Sequence, residues 1–396
     1  MATLTKSPLP FNPSVLQWAR KRSGLTVEEA AKKINVADHR LRDWESGNSS
    51  PSANQGRNLA QSYGRPFLEF FFKKPPELPQ TDLVPDFRFY VGGPSQSEIR
   101  CLLEIQEWAE EQRANALALI EDLGDRPPVL SDNLRFSIKD NVDVAAGIVR
   151  EALKFSITDQ LALKGSKAWT LPNVLRERIE EMGVLVLKES TLTQVRARGM
   201  CLYTNPLPVI VFGNEAPSAQ SFTLIHEFGH VLLGESGISG SPRFGSAQLK
   251  DGKAVESWCN QFAASFLIPK AELDKYFSAP TRVLQEIDQD VLRNLAAIFS
   301  VSRHALLIRL VNLGYVAANF YWRKMRAIFQ AEESEHKSFG RPAYYGKRYI
   351  NRNGRFFTGL VLEAWSSGII TGHNAAEYMG IKNLDHLKDI RDEFRI

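Results

Sequence analysis

An α+β chain, mostly helical and divided into several folded units, is what the sequence predicts, and three observations carry that expectation. Apolar residues recur at helical spacing through most of the chain, short runs in its middle look like strands, and proline- and glycine-rich stretches punctuate the periodic segments. The 396 residues, 43% of them hydrophobic, are enough for about two or three domains with real cores. We place the boundaries at 1–73 for an N-terminal unit of four to five helices and 74–97 for a Pro/Gly-rich linker. Residues 98–275 form a unit that opens on one long helix and carries a small sheet, and 276–396 a helical C-terminal unit.

In the first unit NPSVLQWARKRSG, LTVEEAAKKIN, VADHRLRDWESG and PSANQGRNLAQSYG read as four short helices separated by turn residues. Val15, Leu16, Ala19, Ala30, Ile34, Leu41, Trp44, Leu59 and Ala60 are the expected core. Thr26 reads as an N-cap, with Glu29 three residues on completing a capping box. Through GLTVEEAAKKINV and the W-E-x-G of Trp44 to Gly47, the unit resembles the XRE, or lambda-repressor-like, helix-turn-helix family. The resemblance implies that residues 12–65 meet double-stranded DNA. The helix beginning near Ala37 would enter the major groove and turn Asp38, His39, Arg40 and Arg42 towards it. Arg20, Lys21, Arg22, Lys32 and Lys33 could touch phosphates. A module of this kind can equally mediate dimerisation or dock a protein.

After Phe72, KKPPELPQTDLVPDFRFYVGGPSQS reads as an extended linker. From Glu98 to about Leu123 the pattern predicts a long amphipathic helix, with Ile99, Leu102, Leu103, Ile105, Trp108, Ala114, Leu117 and Ile120 on its buried side. GVLVLKE, GMCLYT and LPVIVFG follow as short strands.

The stretch SFTLIHEFGHVLLGES, Ser221 to Ser236, carries the chemistry. Leu224, Phe228, Val231 and Leu232 keep helical spacing, and Gly234 with Gly237 supplies a stop. Residues four apart share a helix face, so His226 and His230 can aim at a single point, with Glu227 beside them. That is H-E-x-x-H, in which two histidines hold zinc and the glutamate is the general base. A catalytic zinc takes three protein ligands, and AVESWCNQFAASFLIP, Ala254 to Pro269, offers a third. On that helix Glu256 and Asn260 lie one turn apart. Glu256 reads either as the third ligand, with Asn260 in support, or as a solvated helix residue. Cys259 reads as a small buried packing residue. Gly234 to Gly252, between the two helices, reads as a flexible loop.

Taken together, FTLIHEFGH and the following E-x-x-C-N-x-F-A-A-x-x-L-x-P resemble the ImmA/IrrE family of zinc metallopeptidases, whose members cut helix-turn-helix repressors. The resemblance implies a zincin-like unit in which Zn2+ is held by His226, His230 and Glu256, and Glu227 is the general base. It also implies a protein substrate of repressor or antitoxin type.

In the C-terminal third, Val291 to Val316 reads as a second helix-turn-helix-like pair, with His304 no ligand. Residues 337–357 interleave Arg341, Lys347, Arg348, Arg352 and Arg355 with aromatic residues, a pattern that suits single-stranded nucleic acid or a docked protein, or a solvated basic loop over an aromatic core.

The net charge of +4 is too mild to define a partner. No apolar run approaches the roughly 20 residues of a membrane span, and GGPSQS at Gly92 lacks the lysine of a phosphate-binding loop. Three scattered cysteines fit a reducing compartment, and we expect a cytoplasmic protein. The sequence reading is a zinc-dependent endopeptidase of narrow specificity, acting on a repressor or antitoxin-like protein in a stress, mobile-element or toxin-antitoxin circuit. The competing reading is a DNA-binding regulator or antitoxin that uses the peptidase fold to bind a partner with little turnover. A homodimer is compatible with either.

Overall fold

The computed structural model describes residues 9–23, 25–76, 83, 95–239, 252–277, 283–335 and 344–394. The linker expected at 74–97 lies mostly outside the described residues. The helices are α1 Pro13–Arg22, α2 Val27–Lys33, α3 Asp38–Ser46, α4 Ala53–Tyr63, α5 Gln96–Asp122, α6 Val142–Ala152, α7 Ile157–Ala162, α8 Leu171–Glu181, α9 Pro217–Leu233, α10 Gly252–Leu267, α11 Lys270–Leu273, α12 Gln289–Phe299, α13 Arg303–Asn312, α14 Ala318–Phe320, α15 Arg326–Glu335, α16 Tyr345–Ser366, α17 Gly372–Met379 and α18 His386–Phe394. The strands are β1 Leu185–Lys188, β2 Gly199–Leu202, β3 Val209–Phe212 and β4 Gly237–Ser239. Mostly helical α+β is therefore the fold class. The chain divides into two compact units, residues 1–82 with 92–104 and residues 83–91 with 105–396.

In the first unit the expected helices form, and Thr26 with Glu29 closes the capping box that starts α2. A 3-10 turn, Phe67–Phe71, adds a fifth helical piece and buries Phe70 against Phe11 and Tyr63. All the expected core residues are buried except Ile34, which is half-buried. One expectation is corrected here. Arg20 is not available to phosphates, because its guanidinium is buried and forks onto Glu45 at 2.6 and 2.8 Å, tying α1 to α3.

The long helix runs as expected, with Leu102, Ile105, Ala109, Ala116, Leu119 and Ile120 buried. Ala114 is exposed instead, since a face that holds Leu102, Ile105 and Ala109 places residue 114 off the stripe.

The second unit is built around a four-stranded sheet of order β1-β3-β2-β4. β1 runs parallel to β3, while β2 is antiparallel to both β3 and β4. Nearly every strand residue is buried, because α9 covers β2 and β3 while α8 and α16 pack against β1. The loop expected from Gly234 to Gly252 is corrected in its first part: Gly237–Ser239 pairs with β2 as β4. The remainder, 240–251, lies outside the described residues.

The sheet's two edges differ. Leu185 and Glu189 donate their N–H groups to Pro208 and Phe212, so Val186 between them faces the free side of β1. Its carbonyl accepts from Arg176, and α16 covers this edge at a break where Gly354 has φ 82°. Glu180 accepts from the N–H groups of Arg355 and Phe356, which restart the helix, at 3.1 and 3.0 Å. On the outer side of β4, by contrast, no strand pairs among the described residues.

The end of α10 is held by three side chains from other helices. The carbonyls of Phe266, Leu267 and Ile268 accept from Arg150 at 2.6 Å, Gln160 at 2.8 Å and Arg309 at 3.2 Å. These satisfy acceptors that a helix leaves open at its C-terminus, and the two cations suit the negative end of its dipole.

Candidate metal centre

Helix α9 begins at Pro217, whose fixed φ suits a first helical position, and ends at Gly234 in the left-handed region at φ 74°. Its apolar residues are almost all buried, which places the polar side chains of His226, Glu227 and His230 inside the molecule as well. Buried polar groups need partners, and these find them on α10 and the sheet.

Gly229 lets α10 approach. A Cβ at that position would stand 3.2 Å from Cys259 Sγ and 3.3 Å from Phe262, tighter than most real contacts. At this closeness Glu256 reaches the histidines. His230 Nε2 lies 2.9 Å from Glu256 Oε1, His226 Nε2 lies 3.5 Å from Glu256 Oε2, and the two Nε2 atoms are 3.3 Å apart. Asn260 lies one turn after Glu256, near enough for its amide to favour the charged form of His226. Cys259 is fully buried and packs as expected.

Three donor atoms converging in this way fit a metal ion. A tetrahedral centre with bonds of about 2.0–2.1 Å has ligand edges of roughly 3.3 Å, which the separation of the two Nε2 atoms matches, and each Nε2 has a Glu256 oxygen within 3.5 Å. Among the described residues this is the one group of three such donors in so close a cluster.

The charges follow from the same geometry. Burial alone would raise the Glu256 carboxyl, but the charge of His226 and hydrogen bonds to both histidines outweigh it and hold the group at about 2. Burial alone would lower His226, yet Glu256 raises it. Glu227 is fully enclosed, and burial lifts its carboxyl above the ordinary range against the opposing pull of the two histidines and of Ser239.

Glu227 points towards the sheet, where Oε1 accepts from the Ser239 hydroxyl. Two residues that sequence reading missed, Gly199 and Ser239, therefore border it. A glycine before an apolar run was visible at 199, but nothing in the serine- and glycine-rich stretch after α9 marked 239. Tyr203 lies against Gly234 at the end of α9 and accepts from Arg135 at 2.7 Å. Arg198 sits 3.1 Å from Glu215, whose other oxygen accepts from Thr223 on α9.

The remaining candidates lie elsewhere. Asp38, His39, Arg40 and Arg42 all fall on α3 of the first unit, with Arg42 ion-paired to Glu28. Of the segment 337–357, residues 337–343 lie outside the described residues. Beyond them Arg352 stacks on Trp108 and bonds Glu189, and Arg355 stacks on Phe394, so both serve contacts within the chain. His304 is buried and bonded to Tyr321 at 3.0 Å, away from any cluster of metal donors.

Comparison with known families agrees with this division. Residues 179–311 match the model of the IrrE N-terminal-like domain, a peptidase family, and so include both α9 and α10. Residues 16–70 match a helix-turn-helix family. None of the curated proteins matches the chain. A helix-turn-helix unit is thus joined to a metallopeptidase-like unit.

Proposed function

We propose that this chain is a zinc-dependent endopeptidase that cuts a repressor or antitoxin-like protein at few sites. The observation that carries the reading is the convergence of His226, His230 and Glu256 from two helices held together at Gly229. In this reading His226 and His230 give neutral imidazole nitrogens, Glu256 a carboxylate, and Asn260 steadies His226. Zinc at such a centre supplies Lewis-acid polarisation of a carbonyl and makes water acidic near neutral pH.

The chain's own groups do the rest. Glu227 Oε2 is buried and has no hydrogen-bond partner among the described residues, which leaves it as the acceptor for the proton of the attacking water. In this reading the proton is then handed to the leaving amine. β4 has no strand paired on its outer side among the described residues, and in this reading an extended peptide pairs there beside Glu227. The helix-turn-helix unit offers a means of finding a DNA-binding substrate or the DNA it occupies, and three scattered cysteines accord with a cytoplasmic setting.

Metal analysis of the purified full chain tests the reading. About one zinc per chain is expected in the wild type, falling sharply in Glu256→Ala. Wild-type protein purified without chelators and devoid of zinc would overturn it in favour of a regulator that binds its partner without turnover.

A further inference from the structure

We propose that Ser239 is the positioning residue for Glu227, holding one carboxylate oxygen so that the other is presented as the proton acceptor. The inference rests on the reading of Glu227 as general base.

Gly199 and Ser239 stand directly opposite each other in the β2–β4 ladder. The Glu227 carboxylate lies against this rung. A Cβ at residue 199 would fall 2.2 Å from Glu227 Oε1 and 2.6 Å from its Cδ, so only glycine leaves the space. On the other side of the rung the Ser239 hydroxyl donates to the same Oε1. One strand thus supplies the room and its neighbour the hydrogen bond.

Ser239 is itself fixed. Its carbonyl accepts from the Arg198 N–H at 3.0 Å, and it is 2% exposed. The hydroxyl is thus carried by a buried residue whose backbone is held in the ladder. With Oε1 engaged, Oε2 remains buried and without a hydrogen-bond partner among the described residues, so it is the oxygen left to take a proton.

The test uses the zinc-loaded full chain and acetohydroxamate, a probe that binds zinc as its anion and passes its hydroxyl proton to a neighbouring carboxylate. Its Kd is measured by calorimetry for wild type, Ser239→Ala, Ser239→Thr, Glu227→Ala and the Ser239→Ala, Glu227→Ala double variant, each checked for zinc content. We expect Ser239→Ala to weaken binding about tenfold, as loss of a hydrogen bond to a charged group does. Ser239→Thr should restore it, and Ser239→Ala should add nothing once Glu227 is gone. An unchanged Kd in Ser239→Ala, with Glu227→Ala still weakened, overturns the role of Ser239 and leaves the general base intact. Equal weakening with and without Glu227, or loss of zinc from Ser239→Ala, assigns Ser239 a merely structural role and likewise overturns it. Failure of the wild type to hold zinc, or no effect of Glu227→Ala on Kd, removes the underlying reading and the proposal with it.

Discussion

Gly229 on α9 faces Cys259 on α10 so closely that a methyl group there would sit 3.2 Å from the sulfur. Between the two histidines, this missing side chain sets how near Glu256 can come. Gly229→Ala should gain up to about 1 kcal/mol of helix propensity while pushing the helices apart by a few tenths of an ångström. The expected outcome is near-normal thermal stability with zinc affinity lowered by roughly tenfold, in the range seen when the support of a metal ligand is disturbed. Competition against a chromophoric chelator, beside a melting curve, separates the two effects. A variant equally weakened in both would show that Gly229 serves packing alone.

Glu227 is the enclosed acid of the site. Glu227→Gln keeps the shape and an acceptor for Ser239 but removes the proton acceptor. We expect zinc content to stay at the wild-type level while cleavage of any protein the wild type cuts falls by about 10²–10⁴-fold. Retained cleavage would move the general base to another residue.

How far the site was legible depended on how local its signals were. His226 and His230 share one helix face with Glu227 beside them, so spacing alone placed them together. Glu256 lies 26 residues beyond His230, and its approach depends on Gly229 and on three side chains anchoring the far end of α10, none of which leaves a periodic trace. β4 is only three residues long and follows a glycine stop, so its pairing with β2 was hidden, and Ser239 with it. The three predicted strands were visible because each is a continuous apolar run bounded by turn residues. Arg20 illustrates the opposite error: a cation beside Lys21 and Arg22 looked like one more phosphate contact until Glu45, 25 residues away, claimed it.

Arg176 and Glu180 form a buried pair 3.1 Å apart beneath the break in α16. Burial lifts the Glu180 carboxyl to about 6, opposed by Arg176 and by the N–H groups of Phe356 and Arg355. Its folded value thus stands above the ordinary 4.5, and the folded chain binds more protons than the unfolded chain between these limits. The stabilisation linked to this proton is complete below the unfolded value and is lost as pH rises through about 6, amounting to roughly 2 kcal/mol. Urea denaturation should therefore show wild-type stability falling against that of Glu180→Gln as the pH is raised to neutrality. Glu180→Ala, which strands Arg176 without its partner, should cost about 3–5 kcal/mol at neutral pH. A flat difference between wild type and Glu180→Gln would mean that folding leaves the proton affinity of the carboxyl unchanged.

The two exposed arginines of α3 are in different states. Arg42 is paired with Glu28 of α2, whereas Arg40 lies two residues earlier, on another side of the helix. If this face meets duplex DNA, Arg40 neutralises a phosphate and Arg42 does so only after giving up Glu28. Arg40→Ala should then flatten the dependence of log K on log salt by about 0.9, the slope for one phosphate contact, and weaken binding on all sequences alike. Glu28→Gln should do the reverse, since it frees Arg42 and removes a negative charge from the approach. Both effects can be read by fluorescence anisotropy with a labelled duplex across a salt series. Opposite shifts in the two variants identify α3 as the DNA-facing helix. If neither variant alters the slope, α3 faces a protein, and the helix-turn-helix unit recognises the peptidase substrate directly instead of the DNA beneath it.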